Sequence, residues 1–291
     1  MFPWPWLQVF LPRLPLTSSL MKVMKMNNDQ EINIRDELRR LGNKEIAEHS
    51  QKFFKTGRGQ YGEGDRFLGI RVPVLRKLVK KYRGISIDET SQLLKSEFHE
   101  ERLLSLFILI DIFKKAKRED KKTVYNLYLD NTKFINNWDL VDCSAEHIVG
   151  AYLRRIKKQP IYNLANSEIL WERRISIMST FHFIKNNEFV DSLKISEILL
   201  HDEEDLIHKA VGWMLREIGK RDIEAEERFL RKYYNEMPRT MLRYAIEKFP
   251  EEKRKRYLKS KVQKGVLHSG KIYAGYPDIT FFNEPSRYSK K

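Results

Sequence analysis

The sequence predicts an all-α fold, a solenoid of stacked helical hairpins of HEAT-like or armadillo-like type with a basic concave face. Three observations predict it. Apolar residues recur at helical spacing almost throughout, and no segment alternates with a strand's period of two for long enough to matter. Charged steps open successive apolar runs at Glu101-Arg102-Leu103, Arg173-Arg174-Ile175 and His208-Lys209-Ala210. The interval from Arg102 to Arg174 is about twice that from Arg174 to Lys209, which is roughly 35 residues, the length of one helical hairpin. Trp138 falls at the midpoint of the longer interval. Finally, Lys plus Arg number 55 against 40 Asp plus Glu, a net charge of +15 spread along the chain. That is the footprint of a polyanion binder, although a merely soluble basic protein would share it.

Taken in order, residues 1–29 are expected to be a disordered extension outside the fold. Pro3, Pro5, Pro12, Pro15 and Arg13 interrupt the apolar stretch from Met1 to Leu20, no basic segment precedes it, and it is too broken to span a bilayer. A start at Met21, Met24 or Met26 would yield a cleaner protein. Residues 30–258 are expected to form one helical-repeat domain. Its first helix covers 31–54, and Gly57, Gly59, Gly62 and Gly64 then open a loop. Pro73 begins a helix running to about Lys81, at a position where proline is tolerated. Glu101 to Lys115 carries a nearly continuous apolar run, Leu103 to Phe113, typical of a helix buried on most sides. Further helices are expected at about 122–130, 138–156, 161–166, 168–185, 188–199, 204–220, 223–235 and 238–248. Residues 259–291, broken by Gly265, Gly270, Gly275, Pro277 and Pro285, read as a basic, loosely ordered tail.

The single cysteine, Cys143, excludes an internal disulfide and any cysteine-rich zinc or iron–sulfur site, which fits a reducing cytoplasm. No pair of histidines has metal-ligand spacing, and neither a Gly-x-Ser-x-Gly nor a Walker sequence is present. No metal, no cofactor and no membrane partner is expected, and the chain is expected to be a monomer. Gly57-Arg58-Gly59-Gln60-Tyr61-Gly62 matches a dinucleotide fingerprint, but it follows a helix instead of a strand and no βαβ unit surrounds it.

The most informative segment is Trp138-Asp139-Leu140-Val141-Asp142. Trp138 and Asp142 stand at i and i+4, so an indole and a carboxylate share one helix face. Such a pair can hold a sugar or cation while positive charge develops on it. Asp142 could equally be a carboxylate favoured by the helix dipole, a role that Asp139 fits better. On the helix His208 to Lys220, Ala210, Val211, Met214, Leu215 and Ile218 make the apolar stripe. Lys209, Trp213, Arg216 and Lys220 fall on another arc. A tryptophan among cations is the pattern of a nucleic-acid face, unless Trp213 packs against the next repeat. Arg174 shares a face with Leu170, Met178 and Phe181, so its guanidinium needs either a structural carboxylate or a phosphate.

Asn137-Trp138-Asp139-Leu140-Val141-Asp142, Trp171-Glu172-Arg173-Arg174 and Lys209-Ala210-Val211-Gly212-Trp213-Met214-Leu215-Arg216-Glu217 resemble the bacterial DNA alkylation repair family of AlkD-type glycosylases. So do Gly59-Gln60-Tyr61-Gly62-Glu63-Gly64-Asp65, Phe67-Leu68-Gly69-Ile70-Arg71-Val72-Pro73, Met237-Pro238-Arg239-Thr240 and Leu242-Arg243-Tyr244-Ala245-Ile246-Glu247-Lys248, over residues 30 to 258. The resemblance implies a HEAT-like solenoid that grips double-stranded DNA containing alkylated purines. The implied reaction is hydrolysis of the N-glycosidic bond of N3- and N7-alkylated purines without a base pocket. Asp142 would be the catalytic carboxylate, Trp138 and Trp213 would pack on the deoxyribose, and Arg174 would hold backbone phosphate. Arg173, Lys209, Arg216 and Lys220 are the further candidate DNA contacts. One departure is Asn137, where this family often carries a second aromatic. Two rivals share the fold: a non-catalytic solenoid binding DNA or RNA structure, and a protein-interaction scaffold.

Overall fold

The computed structural model describes residues 34–260, so the predicted extension and nearly all of the predicted tail lie outside the described residues. Among the described residues, those up to Phe249 belong to one compact unit, and those from Pro250 onward to a second. Among the described residues the regular structure is helical, and the one β contact is an isolated bridge between Arg66 and Phe98. No helix there is long and apolar enough to cross a membrane.

The predicted helix 31–54 is two helices, α1 (34–41) and α2 (Lys44–Phe53), because Asn43 stops the first and caps the second by accepting from the Ile46 amide. Next come α3 (Val72–Lys81), with Pro73 in its first turn, and α4 (Ile87–Leu94). Helix α4 has a full capping box between Ser86 and Glu89. Helices α5 (His99–Lys115), α6 (Arg118–Asp130) and α7 (Trp138–Asp142) follow. The predicted helix 138–156 is broken after Asp142. Ser144 turns its hydroxyl onto the Leu140 and Val141 carbonyls, competing with the helix ladder. A π-helical turn, Glu146–Gly150, then leads into α8 (Ala151–Leu153).

The remaining helices are α9 (Gln159–Ala165), α10 (Leu170–Ser179), α11 (Phe181–Ile184), α12 (Val190–Ile198), α13 (Asp205–Gly219), α14 (Ile223–Tyr233) and α15 (Arg239–Ala245). They make two layers: α5, α7, α10, α13 and α15 pack side by side in order, while α4, α9 and α12 lie against α5, α10 and α13. Gly212 permits the close approach of α13 to α15, where a methyl group would sit 2.4 Å from the Met241 carbonyl oxygen. In the second unit, α16 (Glu251–Ser260) is charged along most of its length.

The repeat is written in hydrogen bonds. Arg102 donates to the Ser96 carbonyl, Arg173 to that of Ser167 and His208 to that of Asp202, each reaching back six residues into the loop before its helix. Ser105 and Ser176, further along α5 and α10, each donate to a carbonyl fifteen residues earlier on the paired helix. The periodicity is therefore real, with its register at Arg102, Arg173 and His208. That is one residue from the Arg174 and Lys209 assigned from sequence.

Candidate active site and nucleic-acid interface

The site is built where the loop between α2 and α3 meets α7 and α10. Asn137 caps α7 by accepting from the Trp138 amide at 2.9 Å, which starts the helix with the indole in its first turn. Phe54 stacks on that indole with ring centroids 5.2 Å apart, and Phe53 meets it edge-on at 6.0 Å. Tyr61, in the glycine loop, approaches Trp171 edge-on at 6.2 Å. Burial raises the Tyr61 pKa, opposed by a hydrogen bond with Trp138 and by the Arg174 charge.

Asp142 is one turn below Trp138, with 16% of its side chain exposed. Arg174 grips it with a two-pronged contact, Nε to Oδ1 at 2.8 Å and Nη2 to Oδ2 at 2.7 Å. The same guanidinium donates from Nη1 to the Leu206 carbonyl, so it ties α7, α10 and the start of α13 together. Of the alternatives the sequence left open, the structure supplies a carboxylate for Arg174. Two of its five N–H donors are left over for another acceptor. Burial pushes the Asp142 carboxyl above its ordinary range, and Arg174 pulls the other way.

The other candidate contacts are all held within the chain. Arg173 pairs with Asp202 at 2.6 Å and donates to the Ser167 and Glu168 carbonyls. Lys209 pairs with Asp205 at 2.7 Å, Arg216 with Glu247, and Lys220 with Glu217 at 2.6 Å. Trp213, half-buried and 6.0 Å from Phe181, donates its indole N–H to Glu217 at 3.3 Å. The arc that sequence showed as cationic thus has a buried carboxylate at its centre. Glu217 stands at i+4 from Trp213, so the same wheel could have found it. Asn137 is fully buried and also donates to Asp65 at 3.4 Å. The place of the family's second aromatic therefore points into the protein here.

Sequence reasoning missed a buried cluster behind Trp138. His99 lies between two carboxylates, Nδ1 at 2.8 Å from Asp65 and Nε2 at 2.7 Å from Asp139, and Arg102 pairs with the other oxygen of Asp65 at 2.7 Å. Burial alone would depress the His99 pKa, but the charges and hydrogen bonds of Asp139 and Asp65 outweigh it and raise the value to about 9. Asp65 is held below its ordinary range by His99 and Arg102, despite its burial. Because the His99 value in the fold exceeds its ordinary 6.5, the stabilisation is complete below that pH and is lost as pH rises through about 9. Denaturant unfolding at pH 6 and pH 10 is expected to show a loss of roughly 3 kcal/mol that His99→Gln does not show.

Comparison with known proteins agrees with this architecture. Residues 34–249 match the family model described as DNA alkylation repair enzyme. A solved structure described as a predicted DNA alkylation repair enzyme from Enterococcus faecalis superposes with a TM-score of 0.56 at 16% identity, covering 72% of this chain and 97% of that one. At that identity the likeness shows a shared fold. No curated protein matches the sequence. With three quarters of its length inside one family model, the chain belongs to the DNA alkylation repair enzyme family.

Proposed function

We propose that the chain is a DNA glycosylase that hydrolyses the N-glycosidic bond of cationic N3- and N7-alkylated purines in duplex DNA. The observation that carries this reading is Asp142, a partly exposed carboxylate fixed by Arg174 one turn from the half-buried indole of Trp138. An alkylated purine of this kind already bears positive charge, so it leaves as a neutral base without a general acid. The bond from the base nitrogen to C1′ breaks with its electron pair going to the base. A water oxygen bonds to C1′, and the water's proton passes to Asp142 or solvent. While the sugar is oxocarbenium-like, the carboxylate opposes its charge and the indole faces of Trp138 and Trp213 add about 1 kcal/mol each.

Such chemistry needs neither a metal nor an organic cofactor, and it needs no pocket for a flipped base. The anion stabilises the sugar cation, and the Arg174 fork favours that anion against the upward pull of burial. In this reading the duplex lies along the face carrying Trp138, Arg174 and Trp213. A phosphate takes the two remaining Arg174 donors, and Arg173, Lys209, Arg216 and Lys220 exchange part of their intramolecular pairing for phosphate.

The test is release of free 7-methylguanine from a modified duplex under single-turnover conditions. Release by the wild-type chain supports the reading. Tight binding with a steep salt dependence but no release leaves a non-catalytic duplex-binding solenoid. Weak binding that salt does not affect favours a protein scaffold.

A further inference from the structure

Behind the indole of Trp138 lies a set of charges that the proposed chemistry does not use. His99, Asp65, Asp139 and Arg102 are all buried, with side chains no more than 8% exposed, and they pair with one another. Their arrangement converges on one residue. Asp139 directly follows Trp138 and is bound to His99; Asn137 directly precedes it, caps its amide and is bound to Asp65. Asp65 belongs to the loop that carries Tyr61 and also accepts from Arg102, which shares α5 with His99. Phe67 stacks on the His99 ring at 4.5 Å, and Phe54 lies tilted against it at 5.1 Å. Phe54 in turn stacks on Trp138.

We propose that His99 is a positioning residue, an imidazolium clamp that locks the glycine loop to the first turn of α7 and so fixes the orientation of the Trp138 indole for the reaction proposed above. Both ring nitrogens face carboxylate oxygens, and only the imidazolium has an N–H for each. Two carboxylates, Asp65 and Asp139, are then balanced by two cations, His99 and Arg102, in a site without water-exposed charge. The groups facing His99 are Asp65 from the loop, Asp139 from α7, and the rings of Phe54 and Phe67. Arg102 reaches it only through Asp65. Loss of the proton removes one hydrogen bond and leaves one carboxylate facing a lone pair. The first turn of α7 then loses its tie to the loop, and the indole is released with it.

The experiment has two parts on the full chain. In the wild type, the indole N–H signal of Trp138, assigned by its loss in Trp138→Phe, is followed by NMR with the His99 ring nitrogens from pH 6 to pH 10. The two are expected to move together, with a midpoint near pH 9. An indole signal that stays still while His99 titrates overturns the clamp. In folded His99→Gln at pH 7, the single-turnover release rate is expected to fall by about 10- to 100-fold while duplex affinity changes less than about twofold. A merely structural role would leave the rate of the folded fraction at the wild-type value, and that result also overturns the proposal. If the wild type releases no base, the glycosylase reading falls and the Trp138 signal alone decides the clamp.

Discussion

Replacing Glu100 by alanine is expected to cost about 2–4 kcal/mol of stability. The Glu100 carboxylate accepts from three consecutive backbone amides, Leu68 at 2.8 Å, Gly69 at 2.7 Å and Ile70 at 3.1 Å, and is 3% exposed. It acts as a lid on an otherwise unpaired strip of backbone. Truncation leaves three N–H groups without an acceptor, at about 1–3 kcal/mol each when buried. Relief from burying the carboxylate offsets part of that sum. Gly69 holds φ +81° and packs so closely on the start of α2 that a Cβ there would meet the Asn43 carbonyl oxygen at 2.0 Å, so no other residue fits this strip. Urea unfolding of Glu100→Ala checks this, with Glu100→Gln losing less because it keeps one acceptor oxygen. A loss below about 1 kcal/mol in the alanine variant would contradict it.

Arg174→Ala is expected to abolish most base release, by about 100-fold or more at neutral pH, while destabilising the fold by about 2–3 kcal/mol. The guanidinium is the main influence that opposes the upward pull of burial on the Asp142 carboxyl. Without it the Asp142 pKa rises further, and a larger share of the carboxyl is the neutral acid, which has no charge to offer the sugar cation. The sign of the pH response follows. Raising the pH re-ionises Asp142, so the variant's rate should recover part of the way as the pH is raised. The stability estimate lies below the usual range for a broken buried pair because Asp142 keeps some exposure to water. Arg174→Lys keeps the charge without the two-pronged fork and should fall between the wild type and alanine. A rate that stays low and flat across pH would mean that Arg174 acts on DNA directly and not through Asp142.

What could be read in the sequence was whatever rests on local spacing. Trp138 and Asp142 on one face, Pro73 in the first turn of α3 and the buried run of α5 are consequences of the 3.6-residue period. Helix α4, absent from the expected helices, carries a local signal too, since Ser86 and Glu89 stand at capping-box spacing. The predicted continuous helix 138–156 failed for a physical reason, since apolar periodicity persists across Cys143 to Ala145 even where the Ser144 hydroxyl takes over the backbone carbonyls. The cluster behind Trp138 was illegible because its members come from three elements. Asp65 is 34 residues from His99, and His99 is 40 from Asp139. In sequence, His99 and Arg102 are ordinary polar residues at the start of a helix, and Asp139 is an ordinary helix-start carboxylate. Only the packing of the loop onto α5 and α7 makes them one charge-balanced unit. The same limit explains Arg174. Its need for a partner was evident from the apolar face, but the choice between phosphate and Asp142 required the placement of α7 against α10.

The central claim is that Asp142 is the catalytic carboxylate. The most direct test compares release of 7-methylguanine from duplex DNA by the wild type and by Asp142→Asn, at matched folded concentration confirmed by thermal melting. The account predicts release by the wild type, a loss of about 100- to 1000-fold in the variant, and duplex binding retained by both. Release at the wild-type rate by folded Asp142→Asn would contradict it.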